Sequence, residues 1–187
     1  DYVTNGFKVD YIVSGYAPLG KVLDAGCAHG FLVRRLREAG VDAYGVDISR
    51  YALGQAPEGV KPFLFQGSLT DLSMFRDKEF DLVISTGGME HFTAEELPLV
   101  IRELTRVASR GMLAITLRGD IGAESRHHPG LRSREEWQAL FPSGFEIRSD
   151  ANEEWIKSRN LQHVLVVAPV LFPLGGDMRY QGIERLA

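Results

Sequence analysis

The stretch that decides the fold is VLDAGCAHGFL, residues 22–32. It begins as an apolar run containing Asp24, passes through small residues and continues into a helical pattern. This order predicts a strand, a tight glycine turn and the start of a helix. Gly26 and Gly30 permit backbone angles and a close ligand approach that a Cβ would obstruct. The first N–H groups of the helix would then point into the turn, where they can receive an anionic group.

A second strand that ends in a carboxylate follows this turn at a suitable distance. It runs through Tyr44-Gly45-Val46 to Asp47. A glycine turn alone is a weak indicator of a nucleotide-type pocket, and the two stretches together are a much stronger one. A carboxylate after the second strand can accept hydrogen bonds from both ribose hydroxyls. The alternative is that Asp47 caps a helix starting near Arg50, and the two roles can coexist.

The composition is that of one ordinary globular domain. The chain has 187 residues, of which 44% are hydrophobic and 25% are charged, and this length suffices for one full core. A net charge of −4 gives no electrostatic reason to expect a nucleic-acid partner, which requires a concentrated basic face. The basic cluster at residues 34–37 is expected to be the solvated face of an amphipathic helix.

The single cysteine and the lack of long apolar runs further limit the kinds of protein that this sequence can form. Cys27 has no second cysteine to pair with, so an internal disulfide and a cysteine-rich metal site are excluded for this sequence. Its place in the glycine turn favours a small packing residue over a nucleophile. No run approaches the length needed to span a bilayer, and no signal-peptide pattern opens the sequence. We expect a cytoplasmic protein with no metal and no membrane partner.

Strands and helices alternate through the first part of the chain. Helices are expected near residues 29–39, just after Asp47, and after a capping box at Thr93–Glu96. The fourth strand is too uniformly apolar to be exposed on either face, which is typical of a parallel strand covered by helices. The alternation predicts a parallel sheet with right-handed crossovers. The predicted strands of this part are residues 21–25, 42–47, 61–66, 80–85 and 112–117.

The pattern changes at Arg118. Residues 119–132 are polar and predict a long loop, after which Ser133–Glu136 forms a second capping box and opens a short helix. Two more strands are predicted at residues 145–148 and 163–168. Their linker is short for a helical crossover, so the pair is predicted to be antiparallel.

Seven strands in this order, with the turn after the first and an acid after the second, resemble the class I S-adenosylmethionine-dependent methyltransferases. The resemblance covers roughly residues 20–169. It implies a Rossmann-like three-layer α/β sandwich with a seven-stranded, mostly parallel sheet and a C-terminal antiparallel strand. It also implies a single domain of residues 1–187, with an N-terminal helical segment at 1–20, the core at 21–169 and a tail at 170–187. Within the family, the sequence resembles small-molecule enzymes that modify natural products or glycans, and members like those of ubiquinone biosynthesis.

The resemblance implies S-adenosyl-L-methionine as the cofactor and S-adenosyl-L-homocysteine as its product. Asp24 would hold the cofactor's ammonium group, directly or through water, or would cap the turn. Ala28 stands where the family usually has glycine; alanine asks for a negative φ and leaves less room beside the ligand. Ser68 stands where many relatives have an aspartate, so the backbone of Leu69 is expected to matter more, with Asp71 either a substitute or a solvated loop acid. The expected cofactor contacts are Asp24, Gly26, Cys27, Ala28, Gly30, Asp47, Ile48, Ser68, Leu69 and Ser85.

Three histidines are candidate catalytic residues. His91 follows the fourth strand in a Glu-His pair that is common in the family at this edge, and its alternative role is to support the loop. His127 and His128 lie in the long loop, within a stretch from Asp120 to Trp137 that looks like a D-x-x-H…R-S-x-x-W signature with looser spacing. A histidine titrating near neutrality suits removal of a proton from a hydroxyl or amine acceptor. We expect His127 or His128 to be the base, with His91 close by.

The acceptor class follows mainly from what is missing. No Asn/Asp-Pro-Pro-Tyr/Phe stretch follows the fourth strand, and no basic channel is present. A small molecule or a glycan, methylated at oxygen or nitrogen, is therefore expected. Two other classes compete. A nicotinamide-dependent oxidoreductase would share the strand and turn, but the turn reads G-x-x-x-G and lacks G-x-G-x-x-G. A non-catalytic relative would bind the cofactor or a partner chain without transfer.

Overall fold

Five parallel strands form the centre of the sheet. The computed structural model describes residues 2–115, 129, 131–141, 145–149 and 164–169. The strand order is β3-β2-β1-β4-β5, and Leu23 on β1 lies opposite Tyr44 on β2 and Val83 on β4. The predicted Rossmann-like α/β fold with a parallel sheet is confirmed. The bounds are β1 Lys21–Ala25, β2 Asp42–Asp47, β3 Leu64–Gln66, β4 Phe80–Thr86 and β5 Ala108–Ala114.

Two further strands extend the sheet beyond β5. They are β6, Phe145–Ser149, and β7, Val164–Pro169. The strand β7 lies between β5 and β6 and runs antiparallel to both, so the sheet order ends β5-β7-β6. Antiparallel neighbours need no helical crossover, which suits the short, polar linker between these two strands.

Helices cover both faces of the sheet. On one face, Val22 and Leu82 pack in a cluster with α1 and α2; on the other, Leu23 and Val83 pack in a second cluster with α4 and with Trp137 of α5. Because consecutive residues of one strand point to opposite faces, these strands are buried on both sides, and the molecule has three layers. The helices are α1 Tyr2–Tyr16, α2 Phe31–Glu38, α3 Arg50–Gly54, α4 Leu97–Val107 and α5 Arg134–Gln138. None of the described helices is long and apolar enough to cross a membrane.

Two predicted strands are displaced from their expected bounds. Residues 61–63 form a short 3₁₀ turn containing Pro62, and β3 starts only at Leu64, because proline has no N–H to donate to the ladder. The strand β5 begins at Ala108, four residues before the prediction, and pairs with β4 from Phe80 onward. Arg110 interrupts the apolar pattern there, and its guanidinium donates to the carbonyls of Tyr16 and Pro18 at 2.9 and 3.1 Å. Residues 116 and 117 of the prediction lie outside the described residues.

Both predicted capping boxes are present. The Glu96 N–H donates to Thr93 Oγ1 at 3.3 Å and the Thr93 N–H to Glu96 Oε2 at 2.9 Å, although α4 itself starts at Leu97. At α5, Ser133 and Glu136 make the same reciprocal pair. Each box supplies acceptors for backbone N–H groups that a helix start leaves open. The local sequence pattern was therefore sufficient to predict where these two helices begin.

Candidate functional site

The glycine turn after β1 folds back across the end of β2. The N–H groups of Gly26 and Cys27 both donate to the Val46 carbonyl, at 2.8 and 3.1 Å, and the Gly30 N–H donates to Cys27 O at 2.8 Å. Gly30 has φ +69°, and a Cβ there would come within 2.8 Å of Leu64 Cδ1. This position therefore requires glycine for its backbone angle and for its contact with β3. Gly30 is the N-cap residue of α2, and as a glycine it offers no side-chain acceptor to the first N–H groups of the helix.

Ala28 adopts a backbone conformation opposite to the expected one. The sequence predicted a negative φ for alanine, but Ala28 has φ +47°. A left-handed conformation costs an L-residue about 1–2 kcal/mol because Cβ approaches the following carbonyl oxygen. The Ala28 N–H donates to Asp47 Oδ2 at 2.8 Å. The strained residue is thus held by the carboxylate that was expected to bind ribose.

Asp47 connects the turn, the start of α3 and the loop after β3. Its Oδ2 accepts from Ala28 and its Oδ1 from the Ser49 N–H, also at 2.8 Å, while its main-chain carbonyl accepts from the Gly67 N–H at 3.0 Å. Asp47 does not cap α3, because that cap is Ser49, whose hydroxyl accepts from the Ala52 N–H. Each carboxylate oxygen has about two lone-pair directions, so each retains one for a further donor.

Cys27 is a packing residue in the turn. Its side chain is buried, and a Cβ added at Gly45 would lie 2.7 Å from its sulfur, so the thiol occupies the space that glycine leaves on β2. Burial raises the pKa of the Cys27 thiol far above its ordinary value, and the charges of Asp24 and Asp47 raise it further. Because only the thiolate is strongly nucleophilic, Cys27 stays an unreactive thiol.

Asp24 lies in β1 between the two halves of the sheet. It stands opposite Gly45 of β2 and Ile84 of β4, and it is 4% exposed. In open parallel sheets, ligands bind outside the carboxyl ends of the strands, where the strand order reverses. That reversal occurs here at β1, since β2 and β3 lie on one side and β4 and β5 on the other. A buried carboxylate at this point is well placed for a cationic group.

Large apolar side chains are exposed around the ends of β2 and β3. Ile48 is 71% exposed and Tyr51 is 77% exposed, and Met74 is also exposed. Met74 lies over Gly67, since a Cβ there would come within 2.5 Å of its terminal methyl. Ile48 was predicted from the sequence, whereas Tyr51 and Met74 were not. Tyr51 could have been found as an aromatic on the polar side of a short helix; Met74 carries no sequence signal. An apolar rim of this kind suits a planar ligand.

The loop after β3 is a tight turn whose polar side chains form hydrogen bonds within the loop itself. Ser68 Oγ lies 2.7 Å from Thr70 Oγ1 and accepts from the Thr70 N–H at 3.2 Å. Leu69 is buried in the core, so only its backbone is available to a ligand, as the sequence suggested. Asp71 is exposed, and its carboxylate accepts from the Ser73 N–H at 3.0 Å, which lowers its pKa. The geometry favours Asp71 as a loop acid.

Two polar side chains are buried at or just after the end of β4, those of Ser85 and Glu90. Ser85 is fully buried, and its hydroxyl has no hydrogen-bond partner among the described residues. Glu90 is 4% exposed, in a 3₁₀ turn at Met89–His91, whereas His91 is exposed. The sequence pointed to His91 but not to Glu90, although Glu90 is a carboxylate four residues after the buried strand β4. A buried, unpartnered hydroxyl is costly unless a ligand satisfies it.

The remaining sequence candidates fall partly outside the described residues. His127, His128 and Asp120 lie outside the described residues. In the second half of the proposed signature, Ser133 caps α5 and Trp137 is fully buried against the α4 face of the sheet. These two residues therefore have structural roles. Among the described residues, no group of three or more His, Cys, Asp or Glu side chains could hold a metal ion.

Comparison with known proteins identifies the fold and the matched region. Residues 22–111 match the family model described as a methyltransferase domain. Magnesium-protoporphyrin O-methyltransferase from Synechocystis is 32% identical over 107 residues, covering 54% of this chain and 46% of that protein. Ubiquinone biosynthesis O-methyltransferase from Methylococcus capsulatus is 31% identical over 116 residues, covering 59% and 48%. The chain thus spans about half the length of these curated relatives.

A solved structure has the same fold. The magnesium protoporphyrin IX methyltransferase of Synechocystis, crystallised with S-adenosylhomocysteine, superposes with a TM-score of 0.65 at 22% identity, covering 89% of this chain and 81% of that one. The family match includes the glycine turn, Asp47, the loop at 67–72 and the end of β4. The match to a methyltransferase domain argues against the oxidoreductase alternative. Residues 22–111 therefore match a methyltransferase domain, and the chain has the fold of a methyltransferase that was crystallised with S-adenosylhomocysteine.

Proposed function

We propose that this protein transfers a methyl group from S-adenosyl-L-methionine to a small-molecule or glycan acceptor, at oxygen or nitrogen. The observation that carries the proposal is the set of contacts made by Asp47. One residue joins the glycine turn, the start of α3 and the loop after β3 through hydrogen bonds of 2.8, 2.8 and 3.0 Å. Those three segments are the ones that the family resemblance assigns to a single ligand.

The described residues fit such a cofactor at several points. Asp47 retains lone pairs for two ribose hydroxyls, Ile48 presents an exposed apolar surface for the adenine, and Asp24 supplies a buried carboxylate for the ammonium group. The Ser85 hydroxyl lacks a partner among the described residues, and a ligand at the end of β4 would provide one. The cofactor supplies an activated methyl group on a sulfonium. The protein's contribution is alignment of the acceptor and exclusion of water.

The two curated relatives support a small-molecule acceptor. Both are named as O-methyltransferases, one for magnesium-protoporphyrin and one in ubiquinone biosynthesis. Methylation of a hydroxyl or an amine requires loss of a proton, and a positioned base typically accelerates such a step about a hundred- to ten-thousand-fold. We assign that role to His127 or His128, with His91 at the end of β4 as the third candidate. Replacing each by Gln and measuring single-turnover methylation tests this; undiminished rates in all three variants contradict it.

Binding and turnover can be tested separately. Titration of S-adenosylhomocysteine and of NAD by calorimetry should show binding of the first and none of the second. A protein that binds neither contradicts the proposal. If S-adenosylhomocysteine binds but labelled S-adenosylmethionine transfers no methyl group to a panel of phenols, carboxylates, porphyrin acids and amino sugars, the non-catalytic alternative is favoured.

The full extent of the fold belongs to the same proposal. We assign a single domain to residues 1–187, with a seven-stranded sheet whose penultimate position holds the antiparallel β7. The pairing of β7 with β5 and β6 supports this. The amides of residues 164–168 should be protected from hydrogen exchange as strongly as those of the central strands β1 and β4, since interior strands exchange only through large-scale unfolding. Rapid exchange in β7 contradicts the assignment.

A further inference from the structure

A buried polar network joins α4 to the segment that follows the loop after β3. Glu103 of α4 is 6% exposed, and its Oε2 accepts from the Leu72 N–H at 3.0 Å. The Arg106 guanidinium, one helical turn later, donates to the Glu103 carboxylate at 2.7 and 3.3 Å. It also donates to the carbonyls of Leu72 and Phe75 at 3.0 and 2.9 Å. Two side chains of one helix therefore bind both backbone groups of Leu72, whose carbonyl also accepts from the Phe75 N–H at 2.8 Å.

This network replaces a sheet ladder that the segment lacks. Among the described residues, 67–79 contain no strand, only an isolated bridge between Ser68 and Asp71. The side chains of Leu72 and Phe75 are buried in the same cluster as the apolar face of α4. Buried backbone groups need partners, and an unsatisfied one costs about 1–3 kcal/mol. The contact of Arg106 with Asp77 adds little, because the Asp77 side chain is 77% exposed.

The network is directly connected to the candidate adenine loop. The Asp71 N–H donates to the Ser68 carbonyl at 3.0 Å, which closes a turn that ends one residue before Leu72. At the other end, the Gly67 N–H donates to the Asp47 carbonyl. Ser68 and Leu69 therefore lie between two fixed points, Asp47 on one side and the Glu103–Arg106 pair on the other. A displacement of Leu72 would move their backbone.

We infer that Glu103 and Arg106 are positioning residues for recognition of the adenine base. This inference rests on the proposed function. Neither side chain contacts the ligand site; they fix Leu72, and through the turn at 68–71 they fix the backbone groups of Ser68 and Leu69 that would read the base. Arginine suits this role because its planar fork donates several hydrogen bonds in fixed directions, whereas lysine offers one flexible point charge. Glu103 orients that fork.

The variants Arg106→Lys and Glu103→Gln test the inference. The probes are S-adenosylhomocysteine and its inosine analogue, in which oxygen replaces the amino group of adenine. We expect the wild type to prefer the adenine compound, and both variants to bind it about ten-fold more weakly with that preference reduced towards unity. Arg102→Gln is the matched control, because Arg102 is 65% exposed and its Nε lies 3.5 Å from Oε1 of the same Glu103. It should retain both affinities within about two-fold.

Two results contradict the inference. If both variants keep the wild-type affinity and base preference, the inference is wrong. If they lose affinity for both probes equally, the network is a general stabiliser and the inference is also wrong. Should Arg106→Lys fail to fold, as judged by its melting transition, Glu103→Gln decides alone. Its single amide oxygen can still accept from the Leu72 N–H, but it no longer holds the Arg106 guanidinium through two oxygens. A wild type that binds neither probe overturns the proposed function itself, which is a distinguishable outcome.

Discussion

Replacing Ala28 by glycine should stabilise this protein. Ala28 has φ +47°. Glycine adopts this left-handed conformation without strain, so the substitution should lower the free energy of the folded state by about 1–2 kcal/mol. Glycine also makes the unfolded chain more flexible, and this stabilisation of the unfolded state offsets about 0.5–1 kcal/mol of the gain. From the midpoints of these two ranges, the net gain is about 0.75 kcal/mol. For a chain of this size, that corresponds to a rise in melting temperature of about 1–4 °C.

Urea denaturation monitored by circular dichroism, together with a thermal melt, measures this gain. The matched control is Ala39→Gly at the C-terminal end of α2, where the residue is exposed and has φ −82°. That substitution removes no strain and should cost about 0.5–1 kcal/mol. If Ala28→Gly destabilises the protein as much as Ala39→Gly does, the strain at Ala28 is not real and the reasoning about the turn is refuted.

Three other predictions concern the site and its supports. Asp47→Asn should weaken S-adenosylhomocysteine binding at least about ten-fold in calorimetry, because an amide has one acceptor oxygen for two backbone donors and the ribose; unchanged affinity contradicts the ribose role. Ser85→Ala should stabilise the ligand-free protein by about 1 kcal/mol yet weaken ligand binding, and a variant that is merely less stable argues against a ligand contact. Hydrogen bonds from Arg106 lower the pKa of Glu103 in the folded state below the ordinary value of a glutamate. This stabilisation is present above that value and is lost as the pH falls through the folded-state pKa. Between pH 7 and pH 3 in urea titrations, Glu103→Gln should lose less stability than the wild type, and identical slopes contradict this.

Local sequence signals predicted much of the fold. The glycine turn, Asp47 at the end of β2 and the two capping boxes each depend on residues within a few positions of one another, and each lies where expected. β5 was misplaced because Arg110 and its polar neighbours resemble a loop. Its partner groups are the carbonyls of Tyr16 and Pro18, more than ninety residues away, and no local pattern reveals them.

The candidate site was predicted less completely than the fold, for the same reason. Ile48 and Leu69 followed from their positions beside strands, but the conformation of Ala28 is imposed by Asp47, nineteen residues later. Met74 reaches the site only because Gly67 leaves space for it. The roles of Glu103 and Arg106 arise from a segment 31 to 34 residues earlier. Contacts at such separations depend on the assembled sheet.

The contacts of Asp47 also have a kinetic consequence. Because its carboxylate and its carbonyl already hold three segments together, those segments do not have to be ordered when a ligand arrives. The conformational entropy lost on binding is then small, and the encounter needs no slow rearrangement of the pocket. Association would be limited mainly by diffusion and orientation, and differences in affinity between related ligands would appear in their dissociation rates. If the proposed function holds, a single aspartate at the end of β2 thus affects how quickly the pocket fills as well as what it holds.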